Sequence, residues 1–269
     1  MNFNINENDV KVYVKERFGR KFDVGIFDQV WEKYKSIQNF KVNENWFERY
    51  PDLNDYKYID ELHYILRLVA QFFFNYTLEA CKIDIHNDPN VYEDPENGNI
   101  GTSGRIIKWI TGADTHDDRE LMGGRFHKPV RLAKFPNNNE AKKLPIIKEV
   151  DLTANCSHHF LPFSTKYNDQ AKVIIAYIPD EFVLGISKLQ RLVRYIAQRG
   201  WLQEDLTKAI YESLVKAAET PSVYVKLKNI EHGCEIFRGS VTDSNGFTTE
   251  YFGGDFETNP ELLKMVRNY

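Results

Sequence analysis

Apolar side chains recur at three- and four-residue spacing early in the chain, in Phe27, Val30, Trp31 and Tyr34 and again in Leu62, Ile65, Leu66, Val69 and Phe73. That is the spacing of one helix face, and it predicts a helical segment over residues 1–85. Phe72, Phe73 and Phe74 are consecutive, so this helix is expected to lie between other helices or against a second subunit, and the segment to serve assembly. Residues 86–104 are rich in turn formers (Pro89, Pro95, Gly98, Gly101, Gly104). Thr102 or Ser103 is expected there to cap a short helix carrying Arg105 to Ile110. An irregular stretch over 112–139 follows, and a strand is expected near Pro145 to Val150.

Beyond it the period changes. Ala171 to Ile178 is a run of Val, Ile and Tyr closed by Pro179-Asp180, which reads as a strand entering a turn. Two helices are predicted next, Ser187 to Gln198 with Ser187 as its N-cap, and Glu204 to Ala217 with Leu206, Ile210, Leu214 and Val215 on one face. Val223 to Leu227 and Glu235 to Ser240 read as strands of a hairpin flanking His232-Gly233-Cys234.

Composition adds limits. The chain has 269 residues, enough for one large or two modest domains, and its 42% hydrophobic and 28% charged residues are those of a soluble globular protein. Thirty-five basic residues against 39 acidic give a net charge of −4, so no nucleic acid or membrane partner is expected and any polyanion must be met by a local basic cluster. The most apolar stretch, Ile65 to Phe74, is broken by Arg67 and Gln71 and is too short to span a bilayer. Residues 1–9 carry neither the basic start nor the apolar run of a secretion signal. Three unevenly placed cysteines fit a reducing compartment, so a cytoplasmic location is expected.

Cys156, His158, His159, His232 and Cys234 bring two of the three cysteines and three of the seven histidines into two short stretches, read as non-helical. Thiolate and imidazole suit Zn²⁺, and three protein ligands leave a fourth position for a reactive water. A closed structural site of two cysteines and two histidines, or unconnected core histidines, competes with that reading, although the spacing is not that of a zinc finger. Residues outside the cluster decide between them.

Cys156-Ser157-His158-His159-Phe160-Leu161-Pro162-Phe163, Ala176-Tyr177-Ile178-Pro179, Gly185-Ile186-Ser187-Lys188-Leu189 through Arg191, Gln203-Glu204-Asp205-Leu206 and His232-Gly233-Cys234 with Arg238-Gly239 closely resemble GTP cyclohydrolase I. The resemblance runs from about Tyr92, through Glu93-Asp94-Pro95 and Thr102-Ser103-Gly104-Arg105, to Gly253-Gly254-Asp255-Phe256. It implies an α+β tunnelling fold (T-fold), an antiparallel sheet backed by helices. The domains would be an N-terminal helical segment over 1–85 and a catalytic domain over 86–269. Assembly would be a ring-shaped homo-oligomer, such as a decamer, with active sites between subunits.

By the same resemblance, Cys156, His159 and Cys234 are the zinc ligands, and His158 and His232 the active-site histidines. In that family a zinc-bound water attacks C8 of GTP, the imidazole ring opens, formate leaves and 7,8-dihydroneopterin triphosphate forms, a step of tetrahydrofolate biosynthesis. Gln203 and Glu204 match the pair that reads the base. A carboxylate suits guanine because N1–H and N2–H₂ are adjacent donors that adenine lacks. Lys188, Arg191, Arg238 and Arg105 match cations around the triphosphate or ribose, and Ser187 a serine near the ribose. Ser157 stands where the family usually has Glu, which changes charge beside the metal. Ser103 replaces a usual proline. Ser157 and the N-terminal helical segment, which matches no motif, keep alive the same zinc chemistry on another purine nucleotide or in deazaguanine synthesis; a third reading is a non-catalytic zinc-stabilised nucleotide-binding relative. His63, His86, His116, His127 and Cys81 fall outside the motifs and are read as structural, Cys81 within the core.

Overall fold

The computed structural model describes residues 7–18, 24–25, 27–28, 31–32, 70–71, 74–75, 77–94, 97–111, 130, 132–138, 144–198, 200–237 and 246–269. The chain divides into two compact units, Met1–Asp117 and Asp118–Tyr269. In the first, the Glu7–Phe18 helix buries Val10, Tyr13 and Val14, the three- and four-residue spacing of a packed face. Phe27 and Trp31, predicted as partners at i and i+4, are helical and buried, with stacked rings 5.9 Å apart. Val30, Tyr34 and the apolar positions from Leu62 to Phe73 lie outside the described residues. Cys81 departs from expectation: it sits in the turn that ends a helical stretch and is exposed.

A further helix of this unit is Gly101–Thr111. It begins before Thr102 and Ser103, so neither is the cap expected. The Asn99 side chain, which precedes the helix, accepts from the Gly101 N–H at 3.1 Å, and Ser103 is buried in the first turn.

The second unit mixes helices with a mainly antiparallel sheet. Its strands are β1 Lys134–Pro136, β2 Ile146–Val150, β3 Thr153–Cys156, β4 Pro162–Ser164, β5 Lys172–Tyr177, β6 Phe182–Leu184, β7 Gly200–Trp201, β8 Val223–His232 and β9 Phe247–Phe252. β1 and β6 form a separate antiparallel pair, while the larger sheet runs β2-β5-β8-β4-β3-β7 with β9 also on β8. Only the β3–β7 pairing is parallel among these.

β5 reads as an unbroken apolar run because it is buried on both faces. Ile174 and Ala176, with Ile178 beyond the strand, join Tyr224, Phe256 and Val266 in one cluster, and the alternate residues Val173, Ile175 and Tyr177 are equally buried. The short Asp255–Thr258 and Pro260–Arg267 helices supply Phe256 and Val266 to that cluster. The Gln203–Ala218 helix packs on β8 and β9 through a stripe that includes Leu206, Ile210 and Leu214.

Two predicted elements are corrected. The Ile186–Ala197 helix is capped by Gly185, with Ser187 inside its first turn. The expected hairpin strand 235–240 begins as helix, and its residues 238–240 lie outside the described residues. β8 continues through Asn229 to His232, residues 233–236 form a short helix, and the hairpin partner is β9. Lys226, Lys228 and Asn229 hide this continuity in sequence. Lys226 is an ordinary register partner of Glu250, while Lys228 and Asn229 fall where β8 advances three residues from Leu227 to Ile230 and β9 advances two from Thr249 to Phe247, a β-bulge. Asn229 takes φ 51° there, and its N–H donates to Thr248 Oγ1 at 3.0 Å.

Gly246 lies against this bulge at φ +70°, where an added Cβ would fall 2.3 Å from the Asn229 carbonyl. Gly98 has a similar φ of +74° but open space around it. Gly246→Ala is expected to cost on the order of 3 kcal/mol, combining backbone strain with overpacking, and Gly98→Ala only about 1 kcal/mol of strain. Urea unfolding of the two variants checks the difference.

Glu250 on β9 accepts from Tyr224 Oη at 3.0 Å and from Arg267 Nε at 3.2 Å, tying the last helix to the sheet. Burial alone would raise this carboxyl, but the Arg267 and Tyr224 hydrogen bonds and the Arg267 charge outweigh it and hold it below its ordinary 4.5. A carboxyl lowered by folding contributes stability above its unfolded value and loses it as pH falls through the folded value. Stability is therefore expected to fall below about pH 4.5, with a shallower fall in Glu250→Gln, measured as the melting temperature against pH.

Candidate functional site

Cys156 ends β3 and is buried. Its N–H donates to Leu161 O and its carbonyl accepts from Phe160 N–H, both at 2.8 Å. These bonds close a tight turn that hands the chain to β4. Phe160 takes φ 56° to complete it, and Ser157, His158 and His159 stand exposed on the turn. The His158 and His159 rings lie 4.1 Å apart at 47°. The Ser157 N–H donates to Trp201 O at 3.0 Å, and Cys156 is paired in register with Trp201 on β7. This brings the start of the Gln203–Ala218 helix, two residues further on, beside the cysteine.

The bulged end of β8 supplies the other wall. His232 is the register partner of Phe163 on β4, and their rings stack 4.6 Å apart at 13°. His232 Nε2 meets Gln203 Oε1 at 2.7 Å. Burial pushes the His232 imidazole below its ordinary value, and the carboxylates of Glu235 and Glu204 pull it back without cancelling that effect. Cys234 follows in the Gly233–Ile236 helix, so the expectation of two non-helical cysteines holds only for Cys156. Gly233 is needed in close quarters, since a Cβ there would lie 2.9 Å from Pro162 O.

A cleft of about 210 Å³ is lined by Cys156, His158, His159, Gln203, Glu204, His232 and Cys234, with Leu202, Glu235 and Phe247. All five members of the cysteine and histidine cluster and both members of the Gln-Glu pair therefore share one cleft. Two thiols and imidazole form a donor set whose chemistry suits zinc. Among the described residues no group of three or more such side chains is gathered closely enough to hold an ion.

Three other expected residues of this unit lie on a neighbouring helix. Ser187 and Arg191 are exposed and Lys188 half-buried on the Ile186–Ala197 helix, and none is in the lining. Arg238 lies outside the described residues, as do His63, His116 and His127. Arg105 donates within the first unit to Asn99 Oδ1 at 3.2 Å, Asn90 O at 2.6 Å and Thr102 Oγ1 at 3.2 Å. His86 is exposed and pairs with Glu79 at 3.0 Å. Glu235, Leu202 and Phe247 were not anticipated. Adjacency to Cys234 could have pointed to Glu235, whereas Phe247 reaches the site only through the pairing of β9 with β8.

The chain is similar to known proteins over the region that holds this cleft. The GTP cyclohydrolase I family model matches residues 113–269. GTP cyclohydrolase 1 of Haemophilus ducreyi is 33% identical over 209 residues, 70% of this chain and 90% of that protein. Its counterparts in Histophilus somni and Edwardsiella ictaluri are each 34% identical, over 142 and 174 residues; these spans are 51% and 63% of this chain and 62% and 73% of theirs. Among the described residues no helix is long and apolar enough to cross a membrane. With its cysteine, histidine and Gln-Glu motifs meeting in one cleft inside the matched region, the chain belongs to the GTP cyclohydrolase I family.

Proposed function

We propose that this chain hydrolyses GTP to 7,8-dihydroneopterin triphosphate and formate. The observation that carries the reading is the single cleft in which Cys156, His158, His159, His232 and Cys234 face Glu204; the relatives named GTP cyclohydrolase 1 support it. Cys156, His159 and Cys234 would hold Zn²⁺, whose Lewis acidity makes water a nucleophile at neutral pH. The fold reading is the tunnelling fold, in a cytoplasmic ring-shaped homo-oligomer.

Glu204, exposed in the first turn of its helix, would accept N1–H and N2–H₂ of guanine on its two oxygens. His232, whose imidazole burial pushes below its ordinary value, would serve as proton acceptor and then donor during ring opening. His158, exposed on the turn, would carry the later proton transfers near the ribose. Among the described residues the cleft lining contains Glu204 and Glu235 and no lysine or arginine. A triphosphate held there needs cations from beyond that lining, the role proposed for Lys188, Arg191, Arg238 and Arg105, with Ser187 at the ribose. Subunits arranged in a ring would let one copy complete the site of another.

The test is turnover by zinc-loaded protein, followed by formate release and by the fluorescence of the oxidised pterin. Wild type is expected to produce both, and His158→Ala to lose on the order of 100-fold or more. kcat/KM should fall in the order GTP, ITP, ATP, because ITP lacks one donor of the pair that Glu204 accepts and ATP lacks both. Equal turnover of all three would remove Glu204 from recognition. A flat trace with GTP that matches His158→Ala would end the proposed activity.

A further inference from the structure

The hydrogen bonds behind His232 have only one consistent direction. Thr207 Oγ1 lies 2.8 Å from the Gln203 backbone carbonyl, which only accepts, so the single Thr207 hydroxyl proton goes there. Thr249 Oγ1 lies 2.6 Å from Thr207 Oγ1 and must therefore be the donor of that pair. With its proton spent, Thr249 can only accept from the Gln203 side-chain amide, 3.1 Å away. The same amide group lies 3.0 Å from the Phe247 carbonyl, another group that only accepts. Both bonds require the NH₂ end of Gln203 to face β9. Flipping the amide would set its oxygen against the Phe247 carbonyl, so the orientation follows from chemistry and not from atom labels.

Gln203 Oε1 consequently faces His232 Nε2 at 2.7 Å. An oxygen cannot donate, so Nε2 must carry the proton. The ring itself is held by its stack on Phe163. Gln203 is 2% exposed, and both of its amide protons and one acceptor position are engaged within the protein.

We infer that Gln203 is a positioning residue that fixes the tautomer of His232, keeping Nε2 as the donor and making Nδ1 the nitrogen through which His232 exchanges protons. This rests on the proposed reaction for its consequence, while the tautomer stands without it. In that reaction Nδ1 takes up a proton to give the imidazolium and returns the same proton to a substrate nitrogen, with Nε2–H kept throughout. Gln203 Oε1 accepts from the ring in both states. Reading of the base is left to Glu204, whose side chain is exposed at the cleft.

The tautomer can be observed directly by nitrogen NMR of zinc-loaded protein labelled with ¹⁵N in its histidine rings, with the His232 signals identified by their loss in His232→Asn. At neutral pH the expected pattern is protonated Nε2 and unprotonated Nδ1. Gln203→Met, which keeps length and removes the acceptor, should mix the two tautomers, and Thr249→Val should shift the pattern in the same sense by a smaller amount. With GTP as substrate, Gln203→Met should lower kcat tenfold or more while KM stays within about threefold, because the lost interaction acts through the histidine. A wild-type ring protonated at Nδ1 would overturn the inference, as would an unchanged spectrum in a folded Gln203→Met. A rise in KM with unchanged kcat would do the same by making Gln203 a base reader. If Gln203→Met does not fold, the wild-type spectrum and Thr249→Val still decide. Absence of GTP turnover in wild type would count against the proposed activity alone.

Discussion

The second unit depends on the ladder of hydrogen bonds along β8. This ten-residue strand pairs with β5 over residues 223–228, with β9 from Tyr224 to Ile230, and with β4 at Glu231 and His232. A strand flanked on both sides satisfies its backbone polar groups without water, which lets Val223, Tyr224, Val225, Leu227 and Ile230 be fully buried. The bulge at Asn229 adds one residue to β8 alone, and extra residues of this kind bend a strand and raise its twist. Beyond it the strand leaves β5 and meets β4, so that His232 pairs with Phe163. The site is thus built at the point where the central strand changes partners.

How much of this was legible follows from what each residue sees. β5 was readable because burial on both faces demands apolar residues at every position, and the Gln203–Ala218 helix because one packed face imposes its own period. β8 reads short in sequence, since Lys226, Lys228 and Asn229 look like the end of a strand until Ile230 is known to pair again with β9 beyond the bulge. Ser187 has the right chemistry for a cap, but Gly185 already occupies that place. Cys81 follows an apolar run, yet it falls in the turn where the helix ends. Local rules describe each segment correctly in isolation and fail where a partner distant in sequence decides.

The site divides along the same line. Cys156, His158, His159, His232 and Cys234 announce themselves by residue type, because thiol and imidazole concentrated in two short stretches are rare unless chemistry requires them. The groups behind them do not. Thr207, Thr249 and the Phe247 carbonyl are ordinary constituents of a helix and a strand, and they act on His232 only because β9 lies beside the start of a helix more than forty residues earlier in the chain. Two carboxylates flank the cleft, and only Glu204 came with a motif. Glu235 enters because the short helix after His232 turns residue 235 into the same cleft.

Gln203 and Glu204 carry this argument furthest, since the sequence presents them as a pair with one purpose. Neighbouring residues on an α-helix point about 100° apart, so one face buries one of them and not the other. Here Gln203 is turned inward and Glu204 outward. An inward amide must satisfy two donors and an acceptor from fixed neighbours or lose stability, and it does so with β9 and His232. An outward carboxylate in the first helical turn has no such obligation, and its negative charge is favoured there by the helix dipole. Helix geometry alone therefore separates the two roles, assigning the amide to hold the histidine and leaving the carboxylate to meet what enters the cleft.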